Sequence, residues 1–363
     1  MQATVFLSQS DWRSSLRQRI LNVTATDFDA LALELFQYQA RYNNVYADYL
    51  GHLRCKPGTV RSIAEIPFLP ISFFKTHRVL IPDVPEATEF ASSGTTGATT
   101  SRHVVPDLPL YDAVCQRLFE EQYGPLSQFH ILGLLPSYLE RNNSSLVYMV
   151  QRFMTLSGAD QSGFFLNNHA ELTTRLRQLT ERANQRTQDD SSDDPKKVLL
   201  IGVTFGLLDW IDQTPESLEW VGDHPDLIVM ETGGMKGRRR EMLREEVHAE
   251  LIDKLGVSAI HSEYGMTELL SQAYSSGHGV FRPGATIQVR LRDLNDPFHS
   301  YVPGNLLGKQ TGGVNVIDLA NLDSCAFIET QDLGQYDTDP GTFRIMGRFD
   351  NADVRGCNLL VAL

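Results

Sequence analysis

The chain places its most chemically suggestive residues in a few short runs. Ser92-Ser93-Gly94-Thr95-Thr96-Gly97 has hydroxyls at four of six positions and two glycines that let the backbone turn sharply. Such a run can aim several N–H groups at one point and bring main chain close to an anion that a β-carbon would hold away. It is not a Walker loop, because no Gly-Lys-Ser/Thr follows. Far downstream, Ile260-His261-Ser262-Glu263-Tyr264-Gly265-Met266-Thr267-Glu268 reads as a short strand, a glycine turn and the first turn of a helix through Leu269 and Leu270. Within five residues it offers a ring to stack on a base (Tyr264), a hydroxyl for a phosphate (Thr267) and a carboxylate for a hard cation such as Mg²⁺ (Glu268). Nearer the C-terminus, Asp332 follows the apolar run Cys325-Ala326-Phe327-Ile328 and can accept both hydroxyls of a ribose. Arg348, in Gly347-Arg348, can complement the same sugar or a phosphate.

Taken singly, each piece has a plainer reading. The hexapeptide is equally a polar surface loop, Glu268 a first-turn acid facing the helix dipole, Asp332-Leu333-Gly334 a turn, and Gly347-Arg348 a strand end.

In order and separation, however, these pieces resemble the adenylate-forming superfamily of acyl-CoA ligases, luciferase-like enzymes and peptide-synthetase adenylation domains. The resemblance implies that Ser92 to Gly97 is the phosphate loop, and that Tyr264, Gly265, Thr267 and Glu268 form the motif serving adenine, phosphate and Mg²⁺. It further implies that Asp332 is the ribose ligand, that Arg348 stands at the hinge before a lid, and that Gly233 and Gly234 line the adenine pocket with backbone. The cofactors implied are ATP and Mg²⁺. The fold implied is a large layered α/β domain like that of an adenylate-forming enzyme, carrying a β-rich C-terminal subdomain.

Two departures narrow the resemblance. The phosphate loop does not continue into Pro-Lys but into Ser101-Arg102-His103, so the positive charge there must come from Arg102 or His103. The sequence also ends at Leu363, shortly after Arg348, where larger relatives continue into a lid that supplies a catalytic lysine, and no separate lid domain is expected. The chain therefore is most similar to the acyl-protein synthetase (LuxE-like) family of the bacterial bioluminescence fatty acid reductase complex. Ile66-Pro67-Phe68-Leu69-Pro70-Ile71 and Phe73-Phe74-Lys75 resemble that family too. In it, the activated acyl group passes from AMP to a cysteine near the C-terminus of the same chain, a place that Cys357 occupies here. The resemblance thus implies a carboxylic, fatty acid as substrate and an acyl-accepting protein, a reductase or a carrier, as partner. Transfer to coenzyme A or a carrier-protein thiol, and a non-catalytic nucleotide-binding subunit, are the competing readings. Read without the family, Cys357 is a small buried hydrophobe. The apolar set Phe68, Leu69, Ile71, Phe73 and Phe74 is expected in the core rather than along an acyl channel.

These residues need a scaffold, and the rest of the sequence describes one. An opening region has apolar residues at helical spacing from Phe28 to Phe36 and from Tyr42 to Leu50. Strands and helices then alternate, with helices expected at Leu110–Tyr123, Ser145–Leu156, Ala170–Arg182 and near Leu207–Ile211. Core strands are expected at Phe129–Leu135, Val198–Val203 and Leu227–Met230, with a loop from Asn184 to Lys197. Such alternation implies layered α/β architecture with binding loops at the carboxyl ends of strands. After Gly284 the texture turns to strands, at Thr286–Arg290, Val314–Ile317 and Cys325–Ile328. The expected organisation is residues 1–284 as helical region plus nucleotide-binding core and 285–363 as a β-rich subdomain.

Composition excludes several alternatives. The net charge of −13 argues against nucleic acid as a partner. Its one dense basic cluster, Arg238-Arg239-Arg240, is expected on a solvated helix face. Cys55, Cys115, Cys325 and Cys357 show neither disulfide nor zinc spacing, which fits a reducing cytoplasm. No signal peptide is expected at the N-terminus, and no apolar run reaches the roughly 20 residues of a membrane span.

Overall fold

The computed structural model describes residues 8–92, 100–136, 143–189, 196–233, 242–301, 311–339 and 341–348. Most of the phosphate-loop candidate (Ser93, Gly94, Thr95, Thr96, Gly97), Gly234, Arg238 to Arg240 and Cys357 lie outside them.

The central element is a seven-stranded sheet in the order β10-β9-β8-β7-β6-β4-β5. Four parallel strands form its middle: β4 (Phe129–Leu134), β6 (Lys197–Val203), β7 (Leu227–Thr232) and β8 (His261–Tyr264). Short β5 (Gly163–Phe164) adds a parallel edge, while β9 (Ala273–Ser275) and β10 (Arg282–Pro283) extend the other side antiparallel. The near-continuous apolar runs of β4 and β6 follow from burial on both faces. Alternate residues divide between two cores. Ile131, Leu199 and Ile201 face one, with Val114, Phe119, Val150 and Phe153 of helices α5 (Leu108–Tyr123) and α6 (Ser145–Ser157). Leu132, Leu134, Val198 and Leu200 face the other, with α7 (His169–Asp189), α8 (Thr204–Gln213) and α9 (Arg244–Leu255).

The helix ends were written locally. Asp107 caps α5 by accepting from the Leu110 N–H at 2.9 Å, and the chain leaves that helix at Gly124 with φ +92°. Ser144 caps α6, which ends at a left-handed Gly158. α7 runs through Asp189, past the expected start of a loop at Asn184, because its polar sequence is still rich in good helix formers.

A second, five-stranded sheet holds β11 (Ile287–Arg292), β12 (Thr311–Asp318), β13 (Phe327–Tyr336) and β14 (Phe343–Arg348) in antiparallel register. Its fifth strand, β1 (Leu69–Pro70), comes from the N-terminal region and pairs parallel with β13, Leu69 opposite Ile328. Helices α1 (Gln9–Leu21), α2 (Phe28–Tyr42) and α3 (Asn44–His52) cover this region. Phe327 of β13 lies edge-on to Phe36 at 5.9 Å and stacks on Tyr46 at 6.1 Å. Truncating such a buried ring costs about 3–5 kcal/mol, so the N-terminal helices and the β-rich tail are energetically one core. Phe68, Leu69, Ile71 and Phe74 are buried in it. A two-stranded ribbon, β2 (Thr88–Ala91) with β3 (Arg102–Val105), completes the structure. Next to it, Phe73–Thr76 makes a single helical turn, α4. Among the described residues no helix is long and apolar enough to cross a membrane.

Candidate active site

The carboxyl ends of the parallel strands converge where open α/β sheets bind ligands. Gly233 leaves β7 with φ +75°, and its carbonyl accepts from the Thr204 hydroxyl, at the end of β6, at 2.9 Å. Next door, β8 ends at Tyr264 and passes into Gly265. A β-carbon there would lie 2.3 Å from the Glu263 carboxylate, so only glycine fits without displacing that side chain.

The segment after Gly265 is not the expected helix. Met266 to Leu270 form a turn that runs on toward β9. The reason lies across the fold: the Leu270 and Ser271 N–H groups donate to the Asp318 carboxylate, at 2.7 and 3.1 Å, instead of to helical carbonyls. The turn is pinned from two more sides. His103 of β3 donates from Nδ1 to the Thr267 carbonyl at 2.9 Å, and Asn321 donates to the Glu268 carbonyl at 2.8 Å. Thr267 and Glu268 are therefore held by tertiary contacts, and Glu268 is not a first-turn dipole acid.

Glu268 is buried, which raises its carboxyl above the ordinary value. A hydrogen bond from Ser101 and the charges of Arg348 and Lys75 act the other way. Ser101 also closes the base of the loop that holds the hydroxyl-rich run. Its N–H donates to Ser92 Oγ at 2.9 Å while the Ser92 N–H donates to its carbonyl at 3.0 Å. The loop thus begins and ends beside Glu268.

Tyr264, Asp332 and Arg348 meet in one cluster. The Tyr264 hydroxyl donates to Asp332 Oδ2 at 2.8 Å, and Arg348 Nε lies 3.0 Å from Oδ1. Asp332 does not terminate a strand; it sits mid-way along β13, directly opposite Arg348 in the β13–β14 register. The carboxylate is 7 % exposed and the guanidinium 63 %. Arg348 can therefore swing away and free one carboxylate oxygen. The Tyr264 ring is buried against Phe281 and Phe343, at centroid distances of 5.9 and 5.6 Å, so little of it is free to stack and its hydroxyl orients Asp332.

The two candidate replacements for the loop lysine differ. Arg102 is well exposed and pairs loosely with Glu89 at 3.6 Å. His103 is fully buried, and burial pushes its imidazole down to about 4, so at neutral pH it carries no charge and cannot act as a cation. This corrects the expectation for His103, which instead holds the Thr267 carbonyl.

Other residues at the site carried no recognised signal. Glu231 and Glu263, in neighbouring strands, are buried, and Thr232 between them donates to Glu263. Burial, together with the nearby Glu231 charge, pushes the Glu263 carboxyl up to about 7 against the Thr232 hydrogen bond. At Glu231 burial is outweighed by His248 and by Arg244, 3.2 Å away, which keep its carboxyl low. For Glu231 the available clue was a glutamate directly after the apolar run Leu227–Met230; the polar strand His261–Tyr264 offered none for Glu263. Lys75, on α4, stood in a run noted for its resemblance to the family but without a role: its charge reaches Glu268, and the neighbouring Phe74 ring meets His103 edge-on at 5.4 Å.

For Mg²⁺, no group of three metal-ligating side chains exists among the described residues. One buried carboxylate beside the base of the candidate phosphate loop nevertheless fits an ion that takes one or two carboxylates plus substrate phosphates.

The fold is that of the large domain of adenylate-forming enzymes. A 2-hydroxyisobutyryl-CoA ligase, solved with 2-HIB-AMP and CoA, superimposes with a TM-score of 0.62 at 13 % identity, covering 92 % of this chain and 71 % of that one. MatB from Rhodopseudomonas palustris, solved with ATP, gives a TM-score of 0.50 at 17 % identity; the match covers 72 % of this chain but 48 % of MatB, less than half its length. No curated protein matches in sequence. The family is nonetheless defined: over residues 23–362 the sequence matches "Acyl-protein synthetase, LuxE", and the chain belongs to that family.

Proposed function

We propose that this protein activates a carboxylic acid, a fatty acid in the first instance, as acyl-AMP at the expense of ATP, and passes the acyl group to its own Cys357. The observation that carries the activation step is the convergence of Tyr264, Asp332 and Arg348 with Glu268 and the Ser92–Ser101 loop base at the carboxyl end of the sheet. A carboxylate is a poor electrophile because its leaving group would be oxide. Its oxygen attacks the α-phosphorus, the bond to the bridging oxygen breaks, and pyrophosphate departs, leaving a mixed anhydride. The chain's task is placement and charge balance. Asp332 receives the ribose hydroxyls once Arg348 moves aside, Gly233, Gly234 and Gly265 line the adenine with backbone, and Tyr264 fixes Asp332. Thr267 and the Ser93 to Gly97 amides and hydroxyls face the phosphates, with Arg102 as the exposed cation beside them. Glu268 would hold Mg²⁺, whose charge offsets that developing on the phosphates.

In the second step the Cys357 thiolate attacks the acyl carbon and AMP leaves, giving a thioester for delivery to a reductase or carrier protein. Family membership supports this acceptor. The scattered cysteines, of which Cys55, Cys115 and Cys325 are unpaired, fit a cytoplasmic enzyme.

ATP–pyrophosphate exchange across a panel of carboxylic acids tests the activation. Intact-protein mass after incubation with ATP and acid tests the acceptor. Cys357→Ser is expected to keep exchange and lose hydroxylamine-sensitive acyl labelling. Full labelling of that variant would favour another acceptor cysteine, exchange without any labelling of the wild-type protein would favour an external thiol such as coenzyme A, and absence of exchange with every acid would favour a nucleotide-binding subunit.

A further inference from the structure

Behind the Thr267–Glu268 turn lies a small cavity with room of about 10 Å³ for the centre of a water molecule. His103, Asn321 and Ser324 line it. All three are at most 2 % exposed, and each turns one polar atom without a partner among the described residues: His103 Nε2, Asn321 Oδ1 and Ser324 Oγ. A buried water needs about that much space and two to four polar partners.

The hydrogen bonds around the cavity fix what each wall atom can do. His103 Nδ1 faces the Thr267 carbonyl at 2.9 Å and must carry the proton, so Nε2 offers a lone pair. The Asn321 amide nitrogen faces two acceptors, the Glu268 carbonyl at 2.8 Å and Asp318 Oδ2 at 3.3 Å, which leaves its oxygen toward the cavity. The Ser324 hydroxyl is free to donate. The charged groups on the same wall, Asp107 and Asp323, are engaged by Arg17 and Arg13. Two acceptors and one donor match a water that donates twice and accepts once.

The two residues that hold the consecutive carbonyls of the turn are thus two of the three whose unpartnered polar atoms line the cavity. The wall beyond is fastened to the N-terminal helices. Gln39 of α2 donates to the Asn321 carbonyl at 2.7 Å, and Asn43 donates to the Ser324 carbonyl at 2.8 Å.

We propose that this cavity binds one ordered water, donating to His103 Nε2 and Asn321 Oδ1 and accepting from Ser324 Oγ, and that His103 is thereby a positioning residue for Thr267 and Glu268. The water locks the imidazole in the tautomer whose Nδ1–H holds the turn, and ties the turn to the loop fastened by α2. The kinetic part rests on Thr267 and Glu268 facing the nucleotide; the water and the tautomer do not.

Three measurements on the full chain test it. A high-resolution crystal structure should show a peak about 2.7–3.2 Å from all three wall atoms. Nitrogen NMR of His103 should show protonated Nδ1 and bare Nε2 at pH 7. In pyrophosphate exchange, His103→Asn, whose amide can keep an N–H at the Nδ1 place, should stay within about threefold of wild type. His103→Gln, which cannot, should lose roughly tenfold in kcat with KM for ATP within about twofold. A cavity without the peak, an Nε2–H tautomer or imidazolium, or equal losses in the two variants would each overturn the proposal. Should the variants fail to fold, the crystal and NMR results decide it. Should wild type catalyse no exchange, the nucleotide reading fails while those two measurements still judge the water.

Discussion

Asp318 closes β12 and Asp332 lies on the neighbouring β13, and both carboxylates are buried. Asp318 accepts from the N–H groups of Leu270, Ser271 and Ala320, the Ser271 hydroxyl and the Asn321 amide, so its lone pairs are spent on protein. Asp332 has Tyr264 on one oxygen and, among the described residues, a largely exposed arginine on the other. Burial alone does not separate a structural carboxylate from a binding one; what separates them is whether the partners can leave. Asp318 shapes the turn bearing Thr267 and Glu268, while Asp332 and Glu268 keep capacity for a ligand.

That contrast can be broken by mutation. The largest effect is expected for Asp318→Ala, which strands three buried N–H groups at about 1 kcal/mol or more apiece and should lower the unfolding free energy by roughly 3 kcal/mol or more. Denaturant titration checks this, and a loss under about 1 kcal/mol would show that the turn does not depend on Asp318. Glu268→Gln should leave stability unchanged or slightly raised, since burial already disfavours its charge, yet reduce pyrophosphate exchange by at least about tenfold, or 1.4 kcal/mol. A smaller drop removes Glu268 as the principal Mg²⁺ ligand. Asp332→Asn keeps an acceptor for Tyr264 and should cost less than about 1 kcal/mol of stability, while weakening ATP roughly tenfold by calorimetry. Unchanged affinity would count against the ribose assignment.

The smallest effect sharpens the comparison with a third buried carboxylate. Glu263 is raised from the 4.5 of an exposed glutamate to about 7. The folded state therefore holds a proton that the unfolded state gives up earlier. The stability this contributes is complete below about pH 4.5 and is lost as pH rises through about 7. Glu263→Gln, which cannot ionise, should flatten the fall in melting temperature between those values; an identical pH profile in the variant would assign the titration elsewhere.

Much of the scaffold was legible because its signals are local. The apolar runs Val198–Val203 and Leu227–Met230 and the helices from Leu110 and Ser145 follow from periodicity and caps that neighbouring residues write. β1 was not legible: Leu69-Pro70 becomes a strand only because β13, more than 250 residues on, offers a free edge. The helix expected after Gly265 fails for the same reason, since Asp318 takes its N–H groups.

At the site, the chemical types and their order are already present in the sequence: hydroxyls and glycines at Ser92 to Gly97, then Tyr264, Thr267 and Glu268, then Asp332 and Arg348. Those are properties of side chains and short backbone segments, complete within a few residues. The tertiary structure decided what each group is free to do. It set Arg348 opposite Asp332 through strand register, turned the Tyr264 hydroxyl onto that carboxylate, and discharged His103 by enclosing it. Charge state and hydrogen-bond capacity depend on solvent exposure and on partners brought from distant parts of the chain, and neither exists until the chain has folded.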